Sequence, residues 1–472
     1  MSQEIRADYS QMLMFPPLVE DFVAKDHPAR FIREFVDALD LKSLGFRMRK
    51  SEEGRPNYAA DLLLKVWMYG YLERIRSSRR LEKACRQHLA LLWLTGMNTP
   101  DHNSLWRFWR DNKQALKEVF RQTVRIGVEA GLVDMVLNAV DGTKITARAS
   151  TDKAWIRKTL EKKLARLDKS LDQSMAEVEN AEKEESGEYR LPEELAEQGK
   201  LREKIREKLA KLNEEERDHM HPNEPEAQMM KNHEGTRLAY NAQAVVDSKA
   251  GIIVAGEVTT DQNDIRQLVP MLKTVHEELG KVAEETVADG GYCSGEQLDN
   301  AHQSGFPVLV NLRSVLKAED EGGPYHISKF QYDAENDCYL CPMGQKLVFE
   351  KIGKHADRNY ETKSYRCKNA GQCPVRWDCS QDKKGRCIKR SPYSDAILRQ
   401  KRKQEDESKT ALLRRRMVIV EPVFSRVKHL LELRRWSMGG LEKVKAQWMF
   451  ICALLNLVKM YPSWKEQKLQ FV

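Results

Sequence analysis

Three acidic residues stand in apolar surroundings, where a charged side chain is unusual. Asp141 follows the apolar run LNAV, Asp289 follows ETVA, and a glycine comes after each. A carboxylate buried at a strand end is costly unless it has a partner, and the glycine allows a sharp turn that leaves it at the sheet edge. Glu421 lies within VIVEPVFSRVK. We expect Asp141 and Asp289 to end strands and Glu421 to lie near a helix start.

Carboxylates arranged in this way can support metal-dependent chemistry. Two at strand ends, with a third from a helix, could hold two divalent ions about 3.5–4 Å apart, which activate an attacking oxygen and stabilise a leaving oxygen at a phosphodiester. Hard oxygen ligands favour Mg²⁺ or Mn²⁺. The alternative is that each Asp-Gly pair marks an ordinary turn.

A second group of chemically active side chains is a cluster of cysteines between positions 338 and 387. Its first pair, Cys338-x-x-Cys341, has the spacing of a zinc knuckle. In a reducing compartment, clustered cysteines favour metal binding over disulfides. We therefore predict a structural zinc site that stabilises a small polar domain lacking a core; the alternative is a set of free thiols that pack without a metal. The cluster consists of Cys338, Cys341, Cys367, Cys373, Cys379 and Cys387.

Basic residues are distributed unevenly. The net charge of +8 comes from 79 Lys and Arg against 71 Asp and Glu, so local patches matter more than the sum. One basic patch, a candidate for phosphate contacts, lies among the last cysteines and comprises Lys383, Lys384, Arg386, Lys389 and Arg390.

Length and composition describe a soluble globular protein. The chain has 472 residues, 41% hydrophobic and 32% charged, which predicts about two to four domains and excludes a disordered or small disulfide-stapled class. No apolar run reaches the roughly 20 residues that a membrane helix needs, and the first residues do not resemble a signal peptide. We expect a cytoplasmic protein.

The N-terminal region, residues 1–134, has helical periodicity. In TGMNTPDHNSLWRFWRDN, Asp101 is placed to cap a helix that carries Arg107 and Arg110. A helix, a short turn and a helix with arginines are compatible with a helix-turn-helix DNA reader. A helical bundle with a solvated basic face explains the same pattern.

The remaining chain changes character several times. Residues 135–150 read as a strand, 223–320 as short strands and helices, and 395–472 as helices that end in the apolar run 448–458. Residues 151–222 predict a helical hairpin or coiled-coil arm with a break at 186–192. The apolar positions of the arm are Leu160, Leu164, Leu167, Leu171, Met175, Val178, Leu201, Ile205, Leu209 and Leu212.

Nearly the whole chain resembles bacterial insertion-sequence DDE transposases with an InsH-like N-terminal domain, the IS-eleven-eighty-two type within the IS-four/IS-five assemblage. Each matching motif is weak alone, but their number and order make the resemblance specific. The motifs are FPPLVEDFV (15–23), HPARFI (27–32), GRPNYAADLLLKVWMYGYLERIRSSRRLEKAC (54–85), PDHNSLWRF (100–108), AVDGTKITARAS (139–150), EPEAQMM (224–230), YNAQAVVD (240–247), VADGGY (287–292), YLCPMGQKL (339–347) and VEPVFSRVKHLLELRRWSMGGLEKV (420–444).

The resemblance implies an α/β catalytic core of the ribonuclease H type, a mixed sheet with flanking helices. It also implies an all-α N-terminal domain and two insertions, the helical hairpin and the Cys-rich segment. The expected organisation is a DNA-binding domain at 1–134, core at 135–150, arm at 151–222, core at 223–320, a zinc-binding insertion at 325–390 and C-terminal core helices at 395–472.

The resemblance also implies the site residues. Asp141, Asp289 and Glu421 match the acidic triad that binds Mg²⁺, for which Mn²⁺ can substitute. The family lysine seven residues after the glutamate matches Lys428, which on a helix would lie on the same face as Glu421. The family arginine falls at Met417, with Arg416 as the nearest substitute, and no tyrosine stands at the third accessory position.

Further ligands and DNA contacts follow from the same resemblance. It points to Cys341, Cys367, Cys373 and Cys379 as the four zinc ligands, with Cys338 and Cys387 as alternates. The expected DNA-contacting residues are Lys144, Arg107, Arg110, Arg416, Lys428 and Arg435.

The implied activity is DNA transposition. The enzyme would bind terminal inverted repeats, hydrolyse a phosphodiester at the transposon end to free a 3′-hydroxyl, and join that hydroxyl to target DNA. The expected partner is double-stranded DNA. The protein is expected to bind DNA as a homodimer and to be located at the nucleoid. Two alternatives are an inactive relative that acts as a sequence-specific DNA-binding repressor and a stand-alone nuclease with the same core.

Overall fold

A computed structural model describes residues 18–47, 57–182, 193–232, 234–354 and 360–471; the side chains of 174–182, 193–196, 313, 318 and 320 are outside this description. The chain forms two compact units. The first unit comprises 1–132, 144–240 and 424–472, and the second comprises 133–143 and 241–423. Every helix in the described ranges is too short or too polar to span a bilayer.

Helices and strands are mixed along the chain, which confirms the predicted α/β class. The helices are α1 (Pro28–Asp37), α2 (Ala60–Leu72), α3 (Ser78–Ala84), α4 (Leu89–Leu94), α5 (His102–Asp111), α6 (Lys113–Glu129), α7 (Arg157–Glu182), α8 (Glu193–Glu214), α9 (Leu268–Leu279), α10 (Gly295–Gln303), α11 (Arg313–Glu321), α12 (Arg376–Cys379), α13 (Ser394–Glu405), α14 (Glu407–Ser425) and α15 (Leu441–Lys465). The strands are β1 (Leu137–Thr146), β2 (Trp155–Ile156), β3 (His219–Met220), β4 (Gln228–Asn232), β5 (Gly235–Asp247), β6 (Ile253–Thr259), β7 (Glu285–Ala288), β8 (Val308–Val310), β9 (Gln331–Asp333), β10 (Cys338–Leu340), β11 (Lys346–Lys354), β12 (Glu361–Cys367) and β13 (Cys387–Arg390).

The N-terminal region of the first unit is helical, as predicted. Trp67 of α2 and Trp109 of α5 are both fully buried, and their ring centroids are 5.0 Å apart. Phe450 of α15 meets Trp109 edge to face at 5.1 Å. Such aromatic pairs contribute stability beyond the area they bury, so this cluster fixes α2, α5 and α15 to one core.

The arm consists of the antiparallel helices α7 and α8. Its buried residues form one small core that includes four positions: Leu160, Ile205, Leu212 and Met220. Leu164, Leu167 and Leu209 pack against this core, whereas Leu201 is 48% exposed. The helical hairpin is confirmed, while the predicted break at 186–192 and the side chains of Met175 and Val178 lie outside the description.

The mixed sheet has six strands: five follow the order β4-β5-β1-β7-β8, and β6 also pairs with β5. β5 and β6 form an antiparallel hairpin, with Asn241 opposite Thr259. The hydrogen bond from Ser248 N to Leu137 O, 2.9 Å, joins the end of β5 to the start of β1, so these two strands are also antiparallel. β7 runs parallel to β1, and β8 runs parallel to β7.

The Cys-rich segment forms a separate antiparallel sheet with order β13-β12-β11-β10-β9. Its buried core is small and consists of Phe330, Tyr339, Leu347, Tyr365 and Ile388. At its edge, the hydroxyls of Tyr332 and Tyr365 each donate to Asp337 Oδ1 at 2.6 Å. These two hydrogen bonds lower the pKa of the Asp337 carboxyl to about 2.

A buried carboxylate joins distant segments of the first unit. Glu224, which is 2% exposed, accepts hydrogen bonds from Ala149 N at 2.8 Å and Gly440 N at 3.2 Å. Both backbone N–H groups would lack a partner without it. Glu224 therefore stabilises the loops that follow β1 and precede α15.

We expect Glu224→Ala to destabilise the protein by about 1–3 kcal/mol for each N–H group left without an acceptor. The thermal unfolding midpoint measures this effect. Glu203→Ala, at an exposed position of α8, is the matched control and leaves the midpoint unchanged. Equal midpoints for the two variants would show that Glu224 does not hold these loops.

Candidate active site

Asp141 lies in the middle of a strand, so the predicted strand end at this residue is wrong. β1 continues through Thr146. The glycine after Asp141 does not form a turn; it makes room for a neighbouring side chain. A Cβ atom on Gly142 would lie only 2.2 Å from Gln243 Nε2 and 3.0 Å from Asp264 Oδ1.

The register of two parallel strands brings Asp141 and Asp289 together. Leu137 of β1 pairs with Glu285 of β7, and Ala139 pairs with Val287. The same offset, continued by two residues, places Asp141 level with Asp289. Because side chains alternate across a sheet with a period of two, both aspartates project to the face that Ala139 and Val287 share.

Asp289 directly follows β7, as predicted from the sequence. Its Oδ1 accepts a hydrogen bond from Gly291 N at 2.8 Å and thereby caps the short 3₁₀ turn Gly290–Tyr292. This carboxylate therefore takes part in fixing its own backbone. A Cβ atom on Gly291 would lie 2.9 Å from Asp289 Oδ1, which explains why a glycine suits this position.

Asp141 forms an ion pair with Arg416 of α14. Arg416 Nη1 lies 2.8 Å from Asp141 Oδ2, and both side chains are largely shielded from solvent. Burial raises the pKa of the Asp141 carboxyl, the guanidinium opposes this effect, and the negative charge of Asp289 adds to it. The two aspartates are therefore close enough to repel each other, and Arg416 offsets part of that repulsion.

A buried polar network lies beside the two aspartates. The side chains of Asn241 and Gln243 on β5 and of Tyr292 are fully buried. Asp264 Oδ1 accepts hydrogen bonds from Asn241 Nδ2 at 2.6 Å and from Gln243 Nε2 at 2.7 Å. The Tyr292 hydroxyl donates to Gln243 Oε1. Burial, together with the nearby carboxylates of Asp264, Asp141 and Asp289, raises the pKa of Tyr292 well above its usual value.

Sequence reasoning did not find this network, although one signal was present. In LAYNAQAVVD, Asn241 and Gln243 occur two residues apart inside an otherwise apolar strand, and they therefore face the same side of the sheet. Two amides buried on one face require partners. Asp264 carries no comparable local signal, since it lies in a polar loop before α9.

Glu421 lies on α14, the helix that also carries Arg416. α14 begins at Glu407, so the predicted helix start near Glu421 is wrong, and Glu421 is exposed near the C-terminal end of this helix. It stands five residues after Arg416, and at about 100° per residue the two side chains leave the helix in different directions. Across the described ranges, no three or more His, Cys, Asp or Glu side chains are arranged to hold a metal ion.

Lys428 also departs from its predicted setting. α14 ends at Ser425 and is followed by a π-helical turn over Arg426–Leu430. Because a π-helix has a wider turn than an α-helix, the argument that seven residues make two complete turns from Glu421 does not hold. Lys428 is half-buried in this turn.

Two family models match the chain. The first, described as a transposase DDE domain, matches residues 340–461. The second, described as a transposase domain of the DUF772 type, matches residues 17–111. Together the two matches indicate an insertion-sequence DDE transposase. No curated protein matches the transposase.

The predicted N-terminal cap of α5 is present. Asp101 Oδ1 accepts hydrogen bonds from Asn103 N at 2.9 Å and Ser104 N at 3.0 Å, which begins α5. Arg107 and Arg110 lie on the exposed face of this helix. Arg110 is paired with Asp111, with Nε and Oδ1 2.6 Å apart, so Arg107 is the more available of the two.

The remaining predicted DNA-contacting residues lie near the end of β1. Lys144 is half-buried within the strand. Arg435 is exposed and stands opposite Thr146 in an isolated parallel bridge. Trp436 N donates to Thr146 O at 2.9 Å, which fixes the backbone next to Arg435.

Four of the clustered cysteines of the transposase surround one cavity. Cys341, Cys367, Cys373 and Cys379 line it, whereas Cys338 is buried in β10 and Cys387 lies in β13. All nine cysteines are free thiols. Burial raises the pKa of the Cys367 and Cys379 thiols, and the neighbouring sulfurs raise it further.

The basic patch near these cysteines is only partly available. Arg386 Nη1 donates to Cys379 O at 3.0 Å, and Arg390 pairs with Asp395 at 2.7 Å. Lys383, Lys384 and Lys389 are exposed. The lysines, rather than the arginines, are therefore the groups presented to a polyanion.

We expect Gly142→Ala to destabilise the transposase by about 1–3 kcal/mol, because the added Cβ would overlap the Gln243 amide. It should also abolish DNA cleavage, since the displaced amide belongs to the network beside both aspartates. Gly199→Ala on α8 is the control, because a Cβ there meets no atom within 4 Å. Thermal unfolding and cleavage are measured on both variants; a stable, active Gly142→Ala protein would contradict the tight contact.

Proposed function

We propose that the transposase cuts DNA at transposon ends and joins the freed 3′-hydroxyl to target DNA, with Asp141, Asp289 and Glu421 as its acidic triad. The observation that carries this proposal is the register of β1 and β7, which aligns two carboxylates on one face of the sheet. The match of residues 340–461 to a transposase DDE domain, which includes Glu421, supports the third acid.

We infer that the catalytic core has the ribonuclease H-like fold. Its support is that β5 pairs with both β1 and its hairpin partner β6, and that β7 and β8 continue the sheet as strands parallel to β1. The helices α9 and α10 connect β6 to β7 and β7 to β8. Strand, strand, strand, helix, strand, helix, strand is the order expected for that fold.

The donor chemistry beside Asp141 suits a divalent cation of the Mg²⁺ type, although within the described ranges the three acids are not already arranged as a ligand set. The donors are carboxylate oxygens, which hard cations prefer, and the Arg416 guanidinium already places positive charge against Asp141 Oδ2 at 2.8 Å. Asp141, Asp289 and Glu421 would hold Mg²⁺, or Mn²⁺ in its place. When bound, the metal activates the attacking oxygen and stabilises the leaving oxygen of a phosphodiester.

The protein's own groups position the DNA. Arg416 can pair with a phosphate, since a guanidinium binds two phosphate oxygens at once, while Lys144, Lys428 and Arg435 supply further positive charge. The helical N-terminal domain, with Arg107 and Arg110 on the exposed face of α5, reads the terminal inverted repeats. The two transposon ends must be held together, so we propose that the protein is a homodimer when it is bound to DNA. We also propose that the transposase is of the IS-eleven-eighty-two type.

We further propose that Cys341, Cys367, Cys373 and Cys379 hold a structural Zn²⁺. The support is that these four line one cavity, while Cys338 and Cys387 do not; within the described ranges their sulfurs are not already arranged as a metal-ligand set. Four thiolates are the usual ligand set of a structural zinc site. The metal would stabilise a sheet whose buried core contains few side chains.

The catalytic proposal predicts metal-dependent nicking at the repeat boundary. A labelled duplex carrying the terminal repeat and flanking DNA is incubated with Mg²⁺, Mn²⁺ or EDTA. We expect cleavage with either metal and none with EDTA. Asp141→Asn, Asp289→Asn and Glu421→Gln should each reduce the rate by about 100-fold or more, because each removes a charged ligand of the metal.

Glu407→Gln, at the exposed start of the same helix as Glu421, is the control and should cleave normally. Specific binding without cleavage under any metal would favour the repressor alternative. Cleavage without joining of a precut end to a plasmid would favour the nuclease alternative. Full activity of Glu421→Gln would remove Glu421 from the site.

The zinc proposal predicts about one Zn²⁺ per chain in protein purified without chelator, measured by mass spectrometry of the metal. Cys373→Ser should lose the metal and lower the thermal unfolding midpoint. Cys387→Ser, which changes a cysteine outside the cavity, should retain the metal and the wild-type unfolding midpoint. If the wild-type protein contains no zinc, the result would contradict the proposal and favour the alternative of free thiols that pack without a metal.

A further inference from the structure

Asp264 lies between the glycines associated with the two aspartates. A Cβ atom on Gly142 would be 3.0 Å from Asp264 Oδ1, and a Cβ atom on Gly291 would be 3.8 Å from Asp264 Oδ2. One oxygen of this carboxylate therefore faces the strand of Asp141, and the other faces the turn that Asp289 caps. Neither the composition of the loop nor the family matches assign a role to Asp264.

Asp264 determines how the Gln243 amide is oriented. Because a carboxylate only accepts hydrogen bonds, Gln243 must turn its Nε2 toward Asp264, at 2.7 Å. Its Oε1 then faces Tyr292 and accepts the hydroxyl proton. Asn241 donates to the same carboxylate oxygen at 2.6 Å, and its own Oδ1 accepts a hydrogen bond from Gln243 Nε2 at 3.1 Å. Asp264 is therefore the acceptor that the two buried amides share.

The oriented amide reaches both aspartates. Gln243 Nε2 packs against Gly142, next to Asp141. Gln243 Oε1 holds Tyr292, the last residue of the 3₁₀ turn that begins after Asp289. The side chains of Gln243 and Tyr292 are fully buried, so water cannot replace these hydrogen bonds if one of them is lost.

We propose that Asp264 is a positioning residue of the transposase: through Gln243 and Tyr292 it sets the spacing of Asp141 and Asp289 for divalent-cation binding. The proposal rests on the proposed function of these two aspartates. Asp264 acts as a hydrogen-bond acceptor in this role, so an amide oxygen at the same place should largely replace it. A role of its negative charge alone would not be rescued in this way.

The test compares Mn²⁺ affinity and Mg²⁺-dependent cleavage in full-length Asp264→Ala, Asp264→Asn and Tyr292→Phe proteins. Mn²⁺ binding is measured from the EPR signal of the free ion. We expect Asp264→Ala to weaken Mn²⁺ binding by about 10-fold and to slow cleavage, as loss of an outer-shell partner does. Asp264→Asn should stay within about threefold of wild type, since its Oδ1 can still accept from both amides. Tyr292→Phe should weaken Mn²⁺ binding in the same direction as Asp264→Ala.

Asn263→Ala, at an exposed neighbouring position, is the control and should behave as wild type. Wild-type Mn²⁺ affinity in Asp264→Ala would overturn the proposal, as would equal defects in Asp264→Asn and Asp264→Ala. If Asp264→Ala does not fold, unchanged affinity in Tyr292→Phe overturns it instead. Failure of the proposed function is recognised separately, because Asp141→Asn would then bind Mn²⁺ as tightly as wild type.

Discussion

The parallel pairing of β1 with β7 is the constraint on which the candidate active site depends. It aligns two carboxylates on one face of a sheet, where the partial burial of Asp141 strengthens their repulsion. Such an arrangement is unfavourable unless positive charge compensates for it. In this structure Arg416 supplies that charge to Asp141, and the capping hydrogen bond from Gly291 stabilises Asp289. The strand pairing thus brings the two carboxylates close together, and Arg416 and the hydrogen bond from Gly291 offset their repulsion.

The polar residues of β5 show how such a site is supported inside an apolar sheet. Asn241 and Gln243 occupy fully buried positions that Val or Ile would fill in most strands. A buried amide without partners costs more than an apolar side chain would, so these residues stabilise the fold only while Asp264 and Tyr292 satisfy them. A fully satisfied network of this kind favours one arrangement over its alternatives.

Much of the scaffold could be predicted from local patterns in the sequence. The cap at Asp101, the β5–β6 hairpin and the strand before Asp289 all depend on neighbouring residues. The predicted positions of Asp141 and Glu421 within their strand and helix were wrong. The Asp-Gly pair suggested a strand end, but β1 continues beyond it. The charged segment before Glu421 gave no indication that it already belongs to the same helix.

The remaining features depend on contacts distant in sequence. Asp264 meets Gln243 through tertiary packing alone. The spacing of the six clustered cysteines did not single out four of them; the four to which the resemblance pointed are the ones that line one cavity. The ion pair of Arg416 with Asp141 has a further thermodynamic consequence. A cation that binds Asp141 competes with the guanidinium, and an anion that binds Arg416 competes with the carboxylate. Each ligand therefore lowers the cost of binding the other, and this linkage is reciprocal. Phosphate groups and divalent cations would act as mutual effectors here, without needing to touch.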